Sequence, residues 1–167
     1  MTVWQTDRLS LNRWQQDDLP ALSTLLTHGA TMSHWPQPFT PQDVQEWLQR
    51  ALAPSVNGCA RWRCNRTADG VLVGDVGVVH RQILEQPVFD LGYIIHKDFW
   101  HMGYGREAVI GAIAWAKGQG ISELVANMAV DNVPSWSLAE SVGMQRSEMF
   151  ANPKNKFKDT YIYRLQL

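Results

Sequence analysis

The sequence predicts an α+β fold built on a single mixed sheet in which most neighbouring strands are antiparallel. Alternating apolar and polar residues predict strands at residues 60–66, 71–80 and 88–96, joined by short turns that are typical of antiparallel neighbours. Apolar residues at helical spacing predict a helix at residues 106–117, followed by another strand at residues 124–130. A strand that follows its predecessor through a helix can pair with it in parallel, so we expect one parallel pair in the sheet.

The same two periodicities give the other elements, for a total of seven strands and about four helices. The remaining strands are predicted at residues 8–14, 145–150 and 160–167. The remaining helices are predicted at residues 19–26, 40–52 and 134–142. Thr40 and Pro41 mark the start of the second helix, because proline is favoured in the first turn of a helix.

The strand at residues 88–96 has two different faces, since successive side chains of a strand point to opposite sides. One face is apolar and suited to a core: Phe89, Leu91, Tyr93 and Ile95. The other face also carries polar groups: Asp90, Gly92, Ile94 and His96. We expect functional chemistry on the second face.

Length, charge and hydropathy restrict the class of protein. A chain of 167 residues is expected to form one domain, spanning residues 1–167. Its 15 Lys and Arg residues and 16 Asp and Glu residues leave a net charge of −1, which argues against a partner such as nucleic acid or a membrane surface. No stretch approaches the roughly 18 apolar residues of a membrane span, and the N-terminal residues do not resemble a signal peptide. We expect a cytoplasmic protein that is a monomer or a homodimer.

Cysteine and histidine spacing argues against a metal site. Cys59 and Cys64 form a single C-x4-C pair without a second pair, and the histidines show no i, i+4 spacing on a predicted helix. Neither cysteine lies near the motifs described below. We therefore expect no thiol nucleophile and no covalent enzyme intermediate.

A glycine-rich turn precedes the predicted helix at residues 106–117. It reads Gly103-Tyr104-Gly105-Arg106, and such a turn before a helix exposes unpaired N–H groups to an anion such as a phosphate. The same residues also fit a plain change of chain direction. The dinucleotide pattern G-x-G-x-x-A is matched too, but residues 97–102 separate the turn from the preceding strand, which argues against a dinucleotide fold.

Three ordered motifs run along most of the chain. They are Thr6-Asp7-Arg8-Leu9-Ser10-Leu11, then Asp90-Leu91-Gly92-Tyr93 with Trp100-His101-Met102-Gly103-Tyr104-Gly105, then Asn132-Val133-Pro134-Ser135 followed by Leu138, Glu140 and Gly143-Met144. Together they resemble the GNAT superfamily of N-acetyltransferases. The first motif resembles the start of its RimJ/RimL-like branch, which acetylates the N-termini of ribosomal proteins. Trp100 stands where the family usually has Gln or Arg.

The resemblance implies that acetyl-coenzyme A (acetyl-CoA) binds as a co-substrate where the fourth and fifth strands, at residues 88–96 and 124–130, splay apart. Backbone groups of Ile94, Ile95 and His96 would pair with the pantetheine arm as an added strand. The residues implied at the pyrophosphate are His101, Met102, Gly103, Tyr104, Gly105 and Arg106. Asn132 and Ser135 would contact the cofactor arm, and no metal is implied.

The resemblance also implies two residues in proton transfer. Asp90 would accept the proton of the attacking amine through water, and its alternative is a surface carboxylate or a structural hydrogen-bond acceptor. Ser135 would approach the departing sulfur, and its alternative is a helix cap. Ala139 replaces the tyrosine that protonates the thiolate in many relatives.

An aromatic loop falls where the family builds its acceptor-binding wall. His34, Trp35 and Phe39 would contact the acceptor amine, or these aromatic residues would close the edge of the core. The resemblance implies transfer of acetyl from acetyl-CoA to a primary amine, either a protein N-terminus or a small molecule, by direct attack in a ternary complex. The alternative is a non-catalytic acyl-CoA-binding sensor or scaffold of the same fold.

Overall fold

The computed structural model describes residues 2–53, 55 and 58–167, and over these residues the chain forms eight strands in one sheet and four α-helices. The strands are β1 (Thr2–Gln5), β2 (Leu9–Arg13), β3 (Ala60–Arg66), β4 (Leu72–Ile83), β5 (Gln86–Ile95), β6 (Glu123–Ala129), β7 (Gln145–Asn152) and β8 (Lys158–Gln166). The helices are α1 (Leu19–Leu26), α2 (Pro41–Leu52), α3 (Tyr104–Gly118) and α4 (Val133–Ser141). The predicted α+β fold is confirmed.

The sheet is mixed and has the spatial order β1-β2-β3-β4-β5-β6-β8-β7. β5 and β6 run parallel and are connected through α3, and the other neighbouring strands are antiparallel, as predicted. β5 and β6 are the fourth and fifth strands of the sequence prediction. Asp90 and Val125 are the one residue pair recorded between these two fully described strands, so residues 91–95 of β5 border a gap.

The sheet has one more strand than the seven predicted. β1 pairs with β2 in an antiparallel arrangement that is irregular between Thr2 and Trp4. The Trp4 indole packs edge-on against Trp62, with ring centroids 5.7 Å apart, and it fills the space that a side chain at Gly111 of α3 would need. A strand of four residues is too short to show clear alternation. Its place at the edge of the sheet depends on the packing of one tryptophan.

The hairpin between β4 and β5 is tighter than predicted. The predicted strands stopped at residue 80 and resumed at residue 88, whereas the observed pairing continues as far as Ile83. The two turn residues, Leu84 and Glu85, have φ of 48° and 63°. Positive φ at both positions is the geometry of two-residue hairpins and normally selects Asn or Gly, so these residue types gave no turn signal.

Local capping explains where two of the helices begin. At the start of α2, Thr40 Oγ1 accepts from the Asp43 N–H (3.2 Å) and the Asp43 carboxylate accepts from the Thr40 N–H (2.7 Å), with Pro41 in the first turn. α3 begins two residues before the prediction, at Tyr104, because Gly103 already serves as its N-cap. Among the described residues, no helix is both long and apolar enough to cross a membrane.

Helices cover both faces of β5. On one face, Leu91 is buried in a cluster with residues of α3 such as Val109. On the opposite face, Ile94 is buried in a second cluster with residues of α1 and α2 such as Leu48. The face that was predicted to carry polar groups is therefore also covered, and Asp90 is only 5% exposed.

A fully buried carboxylate on β4 joins four parts of the chain. Asp75 accepts hydrogen bonds from the indole N–H groups of Trp14 (3.0 Å) and Trp47 (3.2 Å), and it pairs with the guanidinium of Arg61. Trp14 follows β2, Trp47 lies on α2 and Arg61 lies on β3. A buried carboxylate needs partners for its charge and its lone pairs, and these three donors supply them.

Replacing Asp75 with alanine is expected to lower the free energy of unfolding by about 3 kcal/mol, because Arg61 and two indole N–H groups lose their buried partner. Urea denaturation followed by tryptophan fluorescence measures the loss. Asp69→Ala, which breaks a surface pair with Arg66, is the control and should leave the midpoint nearly unchanged. Equal midpoints for Asp75→Ala and the wild type would contradict this role of Asp75.

Candidate active site

After Asp90, the edge of β5 that points away from β4 borders the gap, and its backbone groups face the gap. The His96 N–H donates to the Val73 carbonyl (2.9 Å), and hydrogen-bonded residue pairs alternate along antiparallel strands. Ile94 therefore bonds to β4, and the intervening Ile95 points its N–H and C=O into the gap. The Ile95 carbonyl accepts from the indole N–H of Trp100 (2.7 Å), so the Ile95 N–H is the group left facing the gap.

The register of β5 against β4 decides which of Ile94, Ile95 and His96 could pair with a pantetheine arm. Ile94 and His96 use their backbone groups within the sheet and the following turn, where the Phe99 N–H donates to the His96 carbonyl (2.9 Å). Ile95 is the member of the three whose N–H an added strand would meet. The sequence pattern alone did not separate them, because the choice depends on the pairing with β4.

The turn before α3 brings its backbone to the surface. His101 and Gly103 have φ of 60° and 81°, so the chain turns sharply around the exposed Met102. Gly103 is the N-cap of α3 and has no side chain to cap it, so the N–H groups from Tyr104 to Arg106 lack an intrahelical partner. These N–H groups and the positive end of the helix dipole suit an anion.

Gly105 lets the start of α3 approach both walls of the gap. A Cβ on Gly105 would lie 2.8 Å from a side-chain carbon of Leu138 on α4 and 3.4 Å from one of Ile95 on β5. A larger residue would push the turn away from the gap. Gly105 thus holds the start of α3 beside the gap, whereas Trp100 directs its indole N–H to the backbone of β5.

A cation that the sequence analysis did not assign lies against this turn. Arg8 donates to the Met102 carbonyl (3.0 Å), pairs with Glu107 of α3 (2.7 Å) and lies 4.4 Å from the centre of the Tyr104 ring. Burial raises the pKa of Glu107, but hydrogen bonds from Thr6 and Arg8 outweigh this and hold the pKa below its usual value. The signal was in the sequence, since Thr6 and Arg8 belong to the first motif.

The start of α4 forms the other wall of the gap. Asn132 is the N-cap of α4, and its Oδ1 accepts from the Ser135 N–H (3.4 Å). The Ser135 side chain does not cap the helix. Its hydroxyl donates to the Tyr93 hydroxyl (3.3 Å), which in turn donates to the Ser135 carbonyl (2.7 Å). Because Tyr93 lies on β5, these two hydrogen bonds link β5 to α4.

Tyr93 is a second residue that the sequence analysis did not assign to the site. Burial raises the pKa of Tyr93 to about 12, so its hydroxyl stays protonated at neutral pH. It brings a phenol to the start of α4, the helix that carries Ala139. Its place in the second motif was visible in the sequence, but its contact with Ser135 depends on how β5 and α4 pack.

Asp90 lies on the opposite face of β5 from Tyr93. Its carboxylate pairs with Arg81 (2.7 Å) and accepts from the side-chain amide of Asn127 on β6 (3.0 Å). Burial raises the pKa of Asp90, and attraction by Arg81 and Arg61 together with the Asn127 hydrogen bond offsets part of that rise. Asp90 is therefore a buried, hydrogen-bonded carboxylate at the point where β6 leaves β5.

The two predicted catalytic residues thus lie on different sides of the sheet. Alternation along β5 places Asp90 on the face of α1 and α2, and Tyr93 with its partner Ser135 on the face of α3 and α4. The gap between β5 and β6 connects the two faces. A molecule lying in the gap would be flanked by one group from each side.

The aromatic residues predicted at the acceptor wall form a cluster beside α2. Trp35, Phe39 and Trp47 contact one another edge-on, with ring centroids 5.3, 5.6 and 5.8 Å apart. Phe39 and Trp47 pack against the core under α1 and α2, whereas Trp35 is 39% exposed. The three rings line a cavity of about 190 Å³ together with Arg50 and Lys154. The loop both closes the core edge and presents an indole to a cavity.

Two contacts hold the aromatic loop, one with the connection between β7 and β8 and one with Asp131, which lies between β6 and α4. Lys156 donates to the Pro36 carbonyl (2.8 Å). His34 Nδ1 lies 3.7 Å from a carboxylate oxygen of Asp131, which also pairs with Lys158 (2.6 Å). His34 is not among the described residues that line the cavity, so its contact is with Asp131.

Metal ligands and reactive thiols are not features of the described site. Over residues 2–53, 55 and 58–167, no group of three or more His, Cys, Asp or Glu side chains is placed to hold a metal ion. Cys59 and Cys64 are buried free cysteines, and burial raises the pKa of both thiols, that of Cys64 to about 12. Both thiols are therefore protonated at neutral pH.

Known proteins of similar sequence were found along nearly the whole chain. The family described as the acetyltransferase (GNAT) domain matches residues 8–145. The uncharacterized protein YkkB of Bacillus subtilis is 25% identical over 146 residues, 86% of this chain and 85% of YkkB. The uncharacterized N-acetyltransferase YnaD of the same organism is 20% identical over 163 residues, 95% of this chain and 93% of YnaD.

Solved structures of acetyltransferases share the fold. One from Bacillus anthracis, of the GNAT family, has a TM-score of 0.82 at 20% identity and covers 99% of this chain and 98% of its own. RimL, a ribosomal L7/L12 alpha-N-protein acetyltransferase solved with coenzyme A, has a TM-score of 0.81 at 15% identity and covers 100% and 98%. Because the family match spans residues 8–145 of 167, this chain belongs to the GNAT acetyltransferase family.

Proposed function

We propose that this protein is an N-acetyltransferase that moves the acetyl group of acetyl-CoA to a primary amine by direct attack in a ternary complex. Membership of an acetyltransferase family supports acetyl transfer in general. The observation that carries the finer proposal is the gap between β5 and β6, since it brings an anion-binding turn next to polar groups on both faces of the sheet.

The turn before α3 would hold the pyrophosphate of acetyl-CoA. The N–H groups of Tyr104, Gly105 and Arg106 would supply the donors, and the exposed Arg106 side chain would supply the charge that Trp100 does not. The exposed His101 ring would add a hydrogen-bonding group. The Ile95 N–H would pair with the pantetheine arm in the gap. The Asn132 side-chain amide, whose oxygen caps α4, keeps its NH₂ group for the same arm.

Residues on the two faces would carry the proton transfers. The amine nitrogen bonds to the acetyl carbon while the carbon–sulfur bond breaks, so overall the amine loses one proton and the thiol gains one. Asp90 would accept the amine proton through water on the face of α1 and α2. On the face of α3 and α4, the Ser135 hydroxyl would turn its single proton from the Tyr93 hydroxyl to the departing sulfur, while Tyr93 keeps its own bond to the Ser135 carbonyl.

The first motif and the overlap with RimL support a place in the RimJ/RimL-like branch. The branch does not fix the acceptor, since fold does not determine the site. The acceptor is proposed to be a protein N-terminus or a small amine, and His34, Trp35 and Phe39 lie in the wall that would border it. A cytoplasmic location and a monomeric or homodimeric state stay predictions.

The proposal is tested by measuring thiol release from acetyl-CoA with a panel of small amines and N-terminal peptides, with thermal shift in parallel. Thiol release that requires an amine supports the acetyltransferase. Stabilisation by coenzyme A without release on any acceptor would favour the non-catalytic acyl-CoA-binding module. The absence of both responses would contradict the cofactor assignment.

Gly103→Ala is expected to weaken acetyl-CoA binding about tenfold, because a φ of 81° strains any side chain and the new Cβ would lie 3.2 Å from Arg8 Nη2. Isothermal titration calorimetry measures the Kd. Gly120→Ala imposes a similar strain, at a φ of 74° with open space around it and at the other end of α3, and should leave the Kd unchanged. Wild-type affinity in Gly103→Ala would argue against this turn as the pyrophosphate site.

Ser135→Ala is expected to lower kcat roughly hundredfold and to leave the Kd of acetyl-CoA unchanged, because it removes the hydroxyl proposed to meet the departing sulfur. Thiol release at saturating substrates gives kcat. The matched control is Ser137→Ala, which removes an exposed hydroxyl from the same helix and should keep the wild-type rate. An unchanged kcat in Ser135→Ala would exclude Ser135 from the chemistry.

Asp90→Asn is expected to lower kcat/KM roughly hundredfold at high pH, because only an ionised carboxylate accepts the amine proton. The ratio of wild-type to variant kcat/KM should rise with pH and then level off, and the ionisation of the acceptor cancels in this ratio. Because burial raises the pKa of Asp90, the midpoint should lie above the usual aspartate range. The control is Asp159→Asn, on the exposed side of β8. A ratio of one at every pH would rule out Asp90 as the base.

A further inference from the structure

Arg61 extends across the sheet towards the gap, on the face of α1 and α2. It lies on β3 opposite Gly77 of β4, and Gly77 lies opposite Gly92 of β5. A Cβ on Gly77 would lie 3.0 Å from Cγ of Arg61, and a Cβ on Gly92 would lie 2.5 Å from its Nη1. Gly92 therefore leaves room for the guanidinium, whereas at Gly77 a Cβ would first meet the backbone of Ala60 and Arg61.

One edge of the Arg61 guanidinium is fixed by buried groups. Nε pairs with the Asp75 carboxylate, and Nη2 donates to the Asp75 carbonyl (3.3 Å). The Trp47 ring lies 4.9 Å from the guanidinium carbon and bonds to the same carboxylate. A planar guanidinium held through two of its nitrogens points its third nitrogen in one direction.

That third nitrogen, Nη1, has no hydrogen-bond partner among the residues that the structure describes. The buried side-chain nitrogens without a partner in that part of the chain are the indole nitrogens of Trp4 and Trp62, so Nη1 retains contact with solvent. Nη1 lies over Gly92, two residues beyond the point where β6 leaves β5. A charged donor is thus fixed beside the gap. Asp90, on the same face, attracts it electrostatically but makes no hydrogen bond with it among the described residues.

We propose that Nη1 of Arg61 binds a carboxylate of the acceptor, so that the acceptor is a small amine with a carboxylate next to its amino group, as in an α-amino acid. This inference rests on the proposed function, because it takes the amine to enter on the Asp90 face. A fixed guanidinium attracts a carboxylate through a charge-assisted hydrogen bond and repels a polycationic amine. In a peptide N-terminus that carboxyl group is a neutral amide.

The side chain of such an acceptor would meet an apolar wall. Trp47, which covers the Arg61 guanidinium, also belongs to the aromatic cluster with Trp35 and Phe39. The cavity that this cluster lines is connected to the Arg61 site through Trp47, whose ring contacts both, and it also carries the charged side chains of Asp43, Glu46, Arg50 and Lys154. An amino acid with an aromatic side chain, such as phenylalanine, combines both properties and is the probe of choice.

Three acceptors that share one side chain test the inference: phenylalanine, phenylalaninamide and 2-phenylethylamine. Calculated on the unprotonated amine, the wild-type kcat/KM should be about tenfold higher for phenylalanine than for the other two, since one charge-assisted hydrogen bond is at stake. Arg61→Lys keeps a cation beside Asp75 but is too short to place a donor over Gly92. It should raise the KM for phenylalanine about tenfold relative to the other two acceptors. Because Arg61 also attracts Asp90, any change that acts through that carboxylate is common to all three acceptors and cancels in the comparison.

Two further variants separate recognition from folding. Gly92→Ala displaces Nη1 without removing the pair between Arg61 and Asp75, and it should cause the same loss of selectivity. Arg63→Lys, two residues along the same face of β3 and paired with Asp18, is the matched control and should keep wild-type selectivity. Melting curves of all variants show whether each one folds.

Binding of phenylalanine in the presence of coenzyme A, measured by calorimetry, distinguishes this inference from the proposed function. Binding that Arg61→Lys weakens supports the carboxylate site even when no thiol is released. Acetylation of 2-phenylethylamine as fast as phenylalanine overturns the inference and leaves the acetyltransferase standing. So does an equal loss on all three acceptors in Arg61→Lys. Absence of phenylalanine binding also overturns it.

Discussion

β5 and β6 meet at Asp90 and Val125 and then separate. The candidate site lies along that separation, with the turn before α3 and the start of α4 on one face of the sheet and Asp90 on the other. The elements on the α3 and α4 face hold the two walls in place. Gly105 lets α3 pack closely between β5 and α4, while Tyr93 ties β5 to Ser135 at the start of α4. The gap is therefore a fixed feature of a packed core, which is the condition for positioning reacting groups before they meet.

The two faces of the sheet present different functional groups to the gap. The α3 and α4 face offers backbone N–H groups, helix ends and hydroxyls, which suit a long anionic molecule that lies along the gap. The α1 and α2 face offers ion pairs and aromatic rings around Asp75 and Trp47, which suit a small polar molecule that enters from the side. Asp90 lies on the α1 and α2 face, at the point where β6 leaves β5 and the gap opens to the other face.

Sequence patterns predicted the elements of the site better than the contacts between them. Alternation in the strand at residues 88–96 separated Asp90 from Tyr93, and the glycine turn predicted the start of α3 within two residues. The contact of Tyr93 with Ser135 spans 42 positions and that of Arg8 with Glu107 spans 99, so each depends on register and packing that no local pattern contains. The extension of the Arg61 side chain as far as Gly92 could not be predicted either, because it depends on the register of β3, β4 and β5.

On the side away from β4, residues 91–95 of β5 have the character of a sheet edge placed inside the protein. An edge with free N–H and C=O groups can pair with a foreign chain, and proteins normally cover or shorten such edges. A co-substrate arm that bonds to this stretch would act as a removable strand and would complete the sheet while it is bound. By mass action the folded population then rises with the cellular supply of that co-substrate.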